Sequence, residues 1–431
     1  MSTTSSSPSD LRAMAVSCRS AATTLRAVVP KPTRARILSC LAAKLLSNQA
    51  EVLAANAADL ADAAAHKTDE NLVSRLKLTP EKLAVLAQGI TQLSQQQDPL
   101  GEVLRRTEVA AGLNLEQIRV PLGVLLVIFE SRPDALPQIA ALSIFSGNGL
   151  ILKGGKEASR SNAALHALVT AAIAEGSDGA VPADLVSLVT SRGDIASLLA
   201  LDDCIDLVIP RGSGELVKSI QQNTRIPVMG HSEGICHVYL DAAAAGDKAV
   251  AVTVDAKVNY PAACNACETV LINTELLAKS YNATCAKPYA GTAAAAAEAV
   301  TVAEAVLAGL AAAGVKIWAG PALTAAVSSN ESNAAALAQY IAGPAATLKH
   351  EYGDRQITAE LVPSLAAALA HIAANGSRHT ECIVTEQQQT ADAFLEAVDA
   401  ACVFHNASTR FADGFRFGLG AEVGISTRYE I

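Results

Sequence analysis

From Gly123 onward the chain changes its hydrophobic period repeatedly, with short all-apolar runs alternating with stretches at helical spacing. Residues 123–129 read as a strand, 134–145 as a helix, 149–152 as a strand, 161–174 as a helix and 185–190 as a strand. A helix from Asp194, a strand at 205–209, a helix at 213–222 and a strand at 226–229 follow. Runs that are apolar on both faces belong in parallel sheets covered by helices and joined by right-handed crossovers. The same style continues with strands near 236–240, 268–272, 316–318 and 382–385, and helices at 247–258, 293–310 and 364–375. The expected class is therefore α/β, and its first sheet is a natural frame for a nucleotide.

Two segments lie outside this alternation. Residues 11–97 carry apolar positions at three- and four-residue spacing, an all-helical lead-in interrupted by Pro30, Pro32, Pro80 and Pro99. Residues 104–120 read as two short strands about Ala111-Gly112, a hairpin whose edges suit pairing with another subunit.

Composition limits the function classes. Hydrophobic residues make up 51% and aromatics only 3%, so the core is built from Ala, Leu, Val and Ile. Lys plus Arg number 33 against 42 Asp plus Glu, a formal charge of −9 that disfavours nucleic acid and acidic lipid as partners. The apolar runs are far shorter than the roughly 20 residues of a membrane span. Nine scattered cysteines, an odd number, fit a reducing compartment, and a cytoplasmic location is expected. The Ser-rich segment 1–48 holds Arg12, Arg19, Arg26, Arg34 and Arg36 with Asp10 as its only acid, the bias of a plastid or mitochondrial transit peptide. Helical spacing over 13–25 instead makes it a domain helix behind a tail of about ten residues.

Three places have chemical potential. Gly212-x-Gly214 follows a strand at its C-terminal end, where amides can face a phosphate, though the third glycine of a dinucleotide fingerprint is missing. Lys153-Gly-Gly-Lys156 places two ammonium groups and two glycines where strand meets helix; a solvated loop is the plainer alternative. Asn259-Tyr-Pro-Ala-Ala-Cys264-Asn-Ala-Cys267-Glu-Thr puts a cysteine in a short loop between helix and strand, where a thiol can enter a cleft. Inert buried thiols, or a zinc or redox Cys-x-x-Cys completed by Cys236-His237, remain open from spacing alone. His231, His237, His379 and His405 stand in no triad spacing, and no metal motif appears.

A series of long motifs, in order, resembles γ-glutamyl phosphate reductase, a member of the aldehyde dehydrogenase superfamily. They are Gly123-Val-Leu-Leu-Val-Ile-Phe-Glu-Ser-Arg-Pro-Asp134, Ser146-Gly-Asn-Gly-Leu-Ile-Leu-Lys-Gly-Gly-Lys-Glu-Ala158, Ile209-Pro-Arg-Gly-Ser213 and Tyr260-Pro-Ala-Ala-Cys-Asn-Ala266. Glu351-Tyr-Gly-Asp354, His379-Thr-Glu-Cys-Ile-Val-Thr-Glu386, Asn406-Ala-Ser-Thr-Arg-Phe-Ala-Asp-Gly-Phe415 and Gly420-Ala-Glu-Val-Gly-Ile-Ser-Thr427 complete the set. Pro227-Val-Met-Gly-His-Ser-Glu-Gly-Ile-Cys-His237 looks closer to the reductase half of the Δ1-pyrroline-5-carboxylate synthases than to typical bacterial reductases.

The resemblance implies two Rossmann-like parallel-sheet domains with a β-hairpin oligomerisation arm. It divides the chain into a flexible tail at 1–10, an NADPH-binding domain at 11–103 and 122–230, the hairpin at 104–121, a catalytic domain at 231–405 and a C-terminal segment at 406–431 that closes the active site. The family is expected to run further past the Gly-Ile-Ser-Thr motif with a tail that joins subunits, whereas here Arg428-Tyr-Glu-Ile431 follows it. The implied reaction is reduction of L-glutamyl 5-phosphate to L-glutamate 5-semialdehyde plus phosphate, the second step of proline biosynthesis. The implied partners are that substrate, further copies in a homo-oligomer, and a glutamate 5-kinase.

Carried over by motif, Cys264 is the nucleophile, with Asn265 and Ser131 as oxyanion-site candidates. Lys153, Gly154, Gly155, Lys156, Pro210, Arg211, Gly212, Ser213 and Glu351 are expected at the cofactor, and Arg132, Ser408, Thr409 and Arg410 at the substrate. Lys156 stands where NAD-preferring relatives carry a glutamate, which points to NADPH because an ammonium attracts a 2′-phosphate. Met229-Gly230 stands where hydrolytic relatives carry a glutamate base, and neither residue takes a proton. Cys267 replaces the usual apolar residue and raises the prospect of an inactivating disulfide with Cys264.

Overall fold

The computed structural model describes residues 7–27, 31–66, 68, 70–189, 194–231, 233–281, 301–329, 334–414, 416–419 and 421–427. The chain divides into two compact units, Met1–Ser232 with Gly414–Gly424, and Glu233–Asp413 with Ile425–Ile431.

In the first unit a four-stranded parallel sheet forms from β3 (Val124–Phe129), β4 (Gly149–Gly154), β5 (Val186–Val189) and β6 (Leu207–Arg211), in the order β5-β4-β3-β6. Every residue of β3 and β4 is buried, which explains their unbroken apolar character. Helices Lys31–Ser47, Pro80–Ser94, Ala135–Phe145 and Ser159–Gly176 cover one face through Leu38, Leu41, Ile90, Leu136 and Leu165. The helix Pro8–Ala27 covers the other with Leu11, Ala15 and Cys18.

That first helix starts at Pro8, inside the expected tail, because Ser7 and Asp10 form a reciprocal cap: Asp10 N–H donates to Ser7 Oγ (3.2 Å) and Ser7 N–H to Asp10 Oδ2 (3.0 Å). The arginines behind the transit-peptide bias are used within the fold. Arg12 pairs with Asp203 at 2.7 Å, Arg19 with Asp206 at 2.8 Å, and Arg34 with Asp98 at 2.5 Å. The strand expected at 226–229 is reduced to one parallel bridge, Val208 to Val228; Pro227 has no N–H to extend a ladder.

The hairpin is present as β1 (Val103–Ala110) and β2 (Leu113–Ile118), antiparallel, with nearly every residue exposed. Val109, Leu113 and Leu115 are more than half exposed, an unusual apolar load for a two-stranded ribbon.

The second unit holds a seven-stranded parallel sheet in the order β10-β9-β11-β8-β7-β12-β13. Its strands are β7 (Cys236–Leu240), β8 (Cys267–Asn273), β9 (Lys316–Ala319), β10 (Ile341–Pro344), β11 (Gln356–Val362), β12 (Thr380–Val384) and β13 (Cys402–His405). Helices Gly246–Val258 and Val302–Ala312 pack on one face through Val250, Val254, Val306 and Leu310, and Leu365–Asn375 and Gln388–Ala397 on the other through Ala368, Ile372 and Phe394. The Ala-rich helix expected over 293–310 is described only from Val302 on; its earlier part lies outside the described residues. Among the described residues no helix is long and apolar enough to cross a membrane.

Candidate active site

Parallel register gathers the cofactor candidates of the first unit. Phe129 in β3 lies opposite Gly154 of β4 and Arg211 of β6, so the C-terminal ends of three adjacent strands bring Ser131, Arg132, Lys153–Lys156 and Pro210–Ser213 to one sheet edge. This is the edge at which open α/β sheets take ligands. Lys153 is not on a solvated loop: it is 3% exposed and its Nζ donates to the Gly154 carbonyl at 2.6 Å. Lys156 is exposed, Arg211 is half-buried, and Ser213 caps the helix Gly214–Gln222 by accepting from Leu216 N–H at 3.4 Å. Ammonium and guanidinium groups beside a helix N-terminus fit a phosphate-bearing nucleotide.

Ser131 has a left-handed backbone (φ 48°) and is 3% exposed. Its N–H and its hydroxyl both donate to Glu157 Oε1, at 2.7 and 2.9 Å. The hydroxyl proton expected for an oxyanion is therefore committed to a carboxylate. Arg132 beside it is half-buried. Met229 packs against the core of this unit, so the position of the hydrolytic base is apolar.

In the second unit the chemistry gathers at the N-terminal edge of the sheet. Cys264 lies three residues before β8, Gly234 two before β7, and Glu351 five before β11; β7, β8 and β11 are parallel neighbours. The Cys264 thiol is half-buried and in no disulfide. Its backbone is fixed from two sides. On one, Cys236 Sγ donates to the Cys264 carbonyl at 3.3 Å, and Gly234 packs so closely that a Cβ there would stand 2.0 Å from the same oxygen.

On the other side stands Arg410. Its Nε donates to Asn259 O at 2.5 Å, its Nη1 makes a short hydrogen bond to Asn265 Oδ1, and its guanidinium lies 5.8 Å from the Tyr260 ring centroid. Asn265, 3% exposed, also donates from Nδ2 to Ala412 O at 2.7 Å. Arg410 thus holds residues on both sides of Cys264, and Tyr260 keeps a φ of 66°, a conformation an aromatic residue adopts only under surrounding constraint. Both candidates also brace the nucleophile loop: Asn265 gives one Nδ2 proton to Ala412 and accepts from Arg410, and the guanidinium expected at the substrate holds Asn259 O. Ser408 and Thr409 are buried; the Ser408 hydroxyl accepts from Arg410 N–H at 3.3 Å.

Cys267 begins β8, fully buried, with its S–H donated to Thr269 O at 3.2 Å; burial pushes its thiol far above the ordinary range. A thiol so held stays protonated and is a poor partner for a disulfide or a metal. Burial raises Cys236 in the same sense. Sequence reasoning missed Gly234, whose role is purely steric, and the pair Lys257–Glu268, which flanks the nucleophile loop in sequence. In sequence the pair shows only as one lysine and one glutamate among the polar residues of the two elements that bound the loop.

Residues 1–296 match the aldehyde dehydrogenase family. The chain is 46% identical over 418 residues to Δ1-pyrroline-5-carboxylate synthase of Solanum lycopersicum, covering 97% of this chain and 53% of that protein. It thus spans about half the length of the synthases it matches. To γ-glutamyl phosphate reductase of Haloquadratum walsbyi it is 45% identical over 398 residues, 91% of this chain and 81% of the relative. The crystal structure of γ-glutamyl phosphate reductase from Thermotoga maritima superposes with a TM-score of 0.81 at 29% identity, covering 97% and 93% of the two chains. The chain belongs to the aldehyde dehydrogenase family and, within it, to the γ-glutamyl phosphate reductases. Membership implies a nicotinamide cofactor.

Proposed function

We propose that the chain reduces L-glutamyl 5-phosphate to L-glutamate 5-semialdehyde with NADPH, releasing phosphate, the second step of proline biosynthesis from glutamate. The observation that carries this reading is the braced loop that holds the Cys264 thiol half-buried at a sheet edge, in a chain 45% identical to a named γ-glutamyl phosphate reductase.

The Cys264 thiolate attacks the acyl carbonyl carbon, a C–S bond forms as the C–O bond to phosphate breaks, and phosphate leaves with the electron pair. The Cys264 backbone amide stabilises the tetrahedral oxyanion, with the second Nδ2 proton of Asn265 as the side-chain candidate, while the Ser131 hydroxyl is bonded to Glu157. NADPH, when bound, would supply a hydride to the thioester carbon; the C–S bond then breaks, releasing the semialdehyde and returning the electron pair to the Cys264 sulfur. Lys153, Gly154, Gly155, Lys156, Pro210, Arg211, Gly212 and Ser213 are the residues that would hold the cofactor, with Glu351 at its nicotinamide ribose. The resemblance puts Met229 where hydrolytic relatives carry a glutamate base, and a thioether takes no proton, so by this reading water does not compete with reduction. Arg132, with Ser408, Thr409 and Arg410, is the substrate-anion candidate, since guanidinium binds carboxylate or phosphate bidentately.

The test is the reverse reaction. Glutamate semialdehyde is expected to reduce NADP only when phosphate is present, and Cys264→Ala to lower the rate by about 10³-fold or more. Phosphate-independent turnover would make the chain a hydrolytic aldehyde dehydrogenase instead. Lys156→Glu is expected to move the ratio of kcat/KM for NADP over NAD towards NAD by at least about tenfold, the equivalent of about 1.4 kcal/mol; an unchanged ratio removes Lys156 from the 2′-phosphate.

The exposed apolar ribbon of β1 and β2 supports a homo-oligomer joined through that arm. The synthase relatives support a glutamate 5-kinase as functional partner, and a cytoplasmic site of action accords with an odd number of scattered cysteines, a plastid or mitochondrion being the alternative.

A further inference from the structure

We infer that Glu268, paired with Lys257, is the positioning residue that fixes the Glu351 turn to the strand following the nucleophile loop, and so sets cofactor affinity. This rests on the reading of Glu351 as the residue at the nicotinamide ribose. Lys257 stands in the last turn of the helix that leads into the Cys264 loop, and Glu268 is the second residue of the strand that leaves it. Their side chains are 0% and 1% exposed, and Nζ donates to Oε2 at 2.7 Å. The same carboxylate accepts Tyr352 N–H on Oε2 at 3.2 Å and Gly353 N–H on Oε1 at 3.3 Å.

Two successive amides converge on one carboxylate only if the turn between them is sharp, and Gly353 supplies it with a φ of 64°. The Tyr352 hydroxyl is 2.8 Å from Thr358 Oγ1 in β11, and Thr358 pairs in register with Thr269, the residue after Glu268. The exposed Glu351 side chain thus stands on a turn whose next two amides have a fixed anchor.

The anchor is an ion, so its grip depends on pH. Burial raises the Glu268 carboxyl to about 7, with Lys257 and the two amides acting against the rise. The titratable and charged groups facing it are Lys257 from the helix, Tyr352 from the turn, Cys267 beside it in β8 and Cys236 in β7. Of these, the two thiols and the phenol are all raised, so near neutrality Glu268 itself is the group that changes charge.

The experiment compares Glu268→Gln and the double variant Lys257→Met/Glu268→Leu with the parent chain. Three readouts serve: NADPH affinity by fluorescence titration, hydrogen exchange at the Tyr352 and Gly353 amides, and the rate of Cys264 alkylation. In both variants NADPH affinity is expected to fall about tenfold and the two amides to exchange at least about tenfold faster, as for loss of a charge-assisted bond. Cys264 alkylation is expected to stay within about twofold, and in the parent the two amides gain protection as pH rises through 7. The double variant leaves no buried charge, so it tests the anchor without an ionic penalty. Unchanged NADPH affinity and amide exchange in both variants would overturn the inference. A parent chain that does not bind NADPH would instead sink the functional reading, while the exchange data would still decide whether Glu268 holds the turn.

Discussion

Gly234→Ala is expected to lower kcat by about 100-fold or more while leaving the chain folded. The added methyl would stand 2.0 Å from the Cys264 carbonyl oxygen, 2.7 Å from its carbon and 2.8 Å from its Cα. All three are backbone atoms of the nucleophile itself, so no rotamer change relieves the clash. One of two segments has to move by about 1 Å, and a displacement of that size at a reacting centre costs on the order of 10²-fold. The far side of the loop cannot yield freely, because Arg410 holds Asn259 and Asn265. Steady-state rates with a urea melt and Cys264 alkylation check the prediction. Parent-like turnover would mean that this contact does not set the position of the nucleophile.

The same residue marks where sequence reading stops. The alternating strands and helices were legible because burial on both faces of β3 and β4 demands continuous apolar runs, and the motif around Cys264 located the thiol. β10, β11 and β13 were not foreseen. β10 and β13 have four residues each with no fully buried position, and β11 carries Gln356, Thr358 and Glu360 within a buried strand, polar residues that mask its role. Within the site, residue type identified groups able to donate or bind, but not where their protons go. Ser131 gives its hydroxyl to Glu157 across 26 positions, and Arg410 reaches Asn259 across 151. Gly234 has no side chain to signal anything, and its importance exists only as the absence of a Cβ beside another backbone.

Lys257→Met is expected to destabilise the second unit by about 3–5 kcal/mol at pH 9, because it leaves Glu268 as an uncompensated buried charge, and by clearly less at pH 5. The sign follows from where the proton resides. In the native chain burial holds the Glu268 carboxyl at about 7, above the ordinary 4.5. A carboxyl with a folded pKa above its unfolded one keeps a proton that the unfolded chain has lost, so its contribution to stability is fully present below 4.5 and is lost as the pH rises to about 7. Methionine at 257 removes the cation bonded to that carboxylate, moves its titration further upward, and extends the loss into the alkaline range. At pH 5 Glu268 is neutral in the variant and the penalty for an isolated charge does not arise. The gap between variant and parent therefore widens with pH, and urea midpoints at pH 5, 7 and 9 measure it. Adding Glu268→Leu to Lys257→Met is expected to close most of the gap at pH 9, since an apolar pair of similar volume carries no desolvation cost. A gap of equal size at all three pH values would show that the cost is lost packing around the lysine stem, and that Glu268 is not an ion held at the foot of the nucleophile loop.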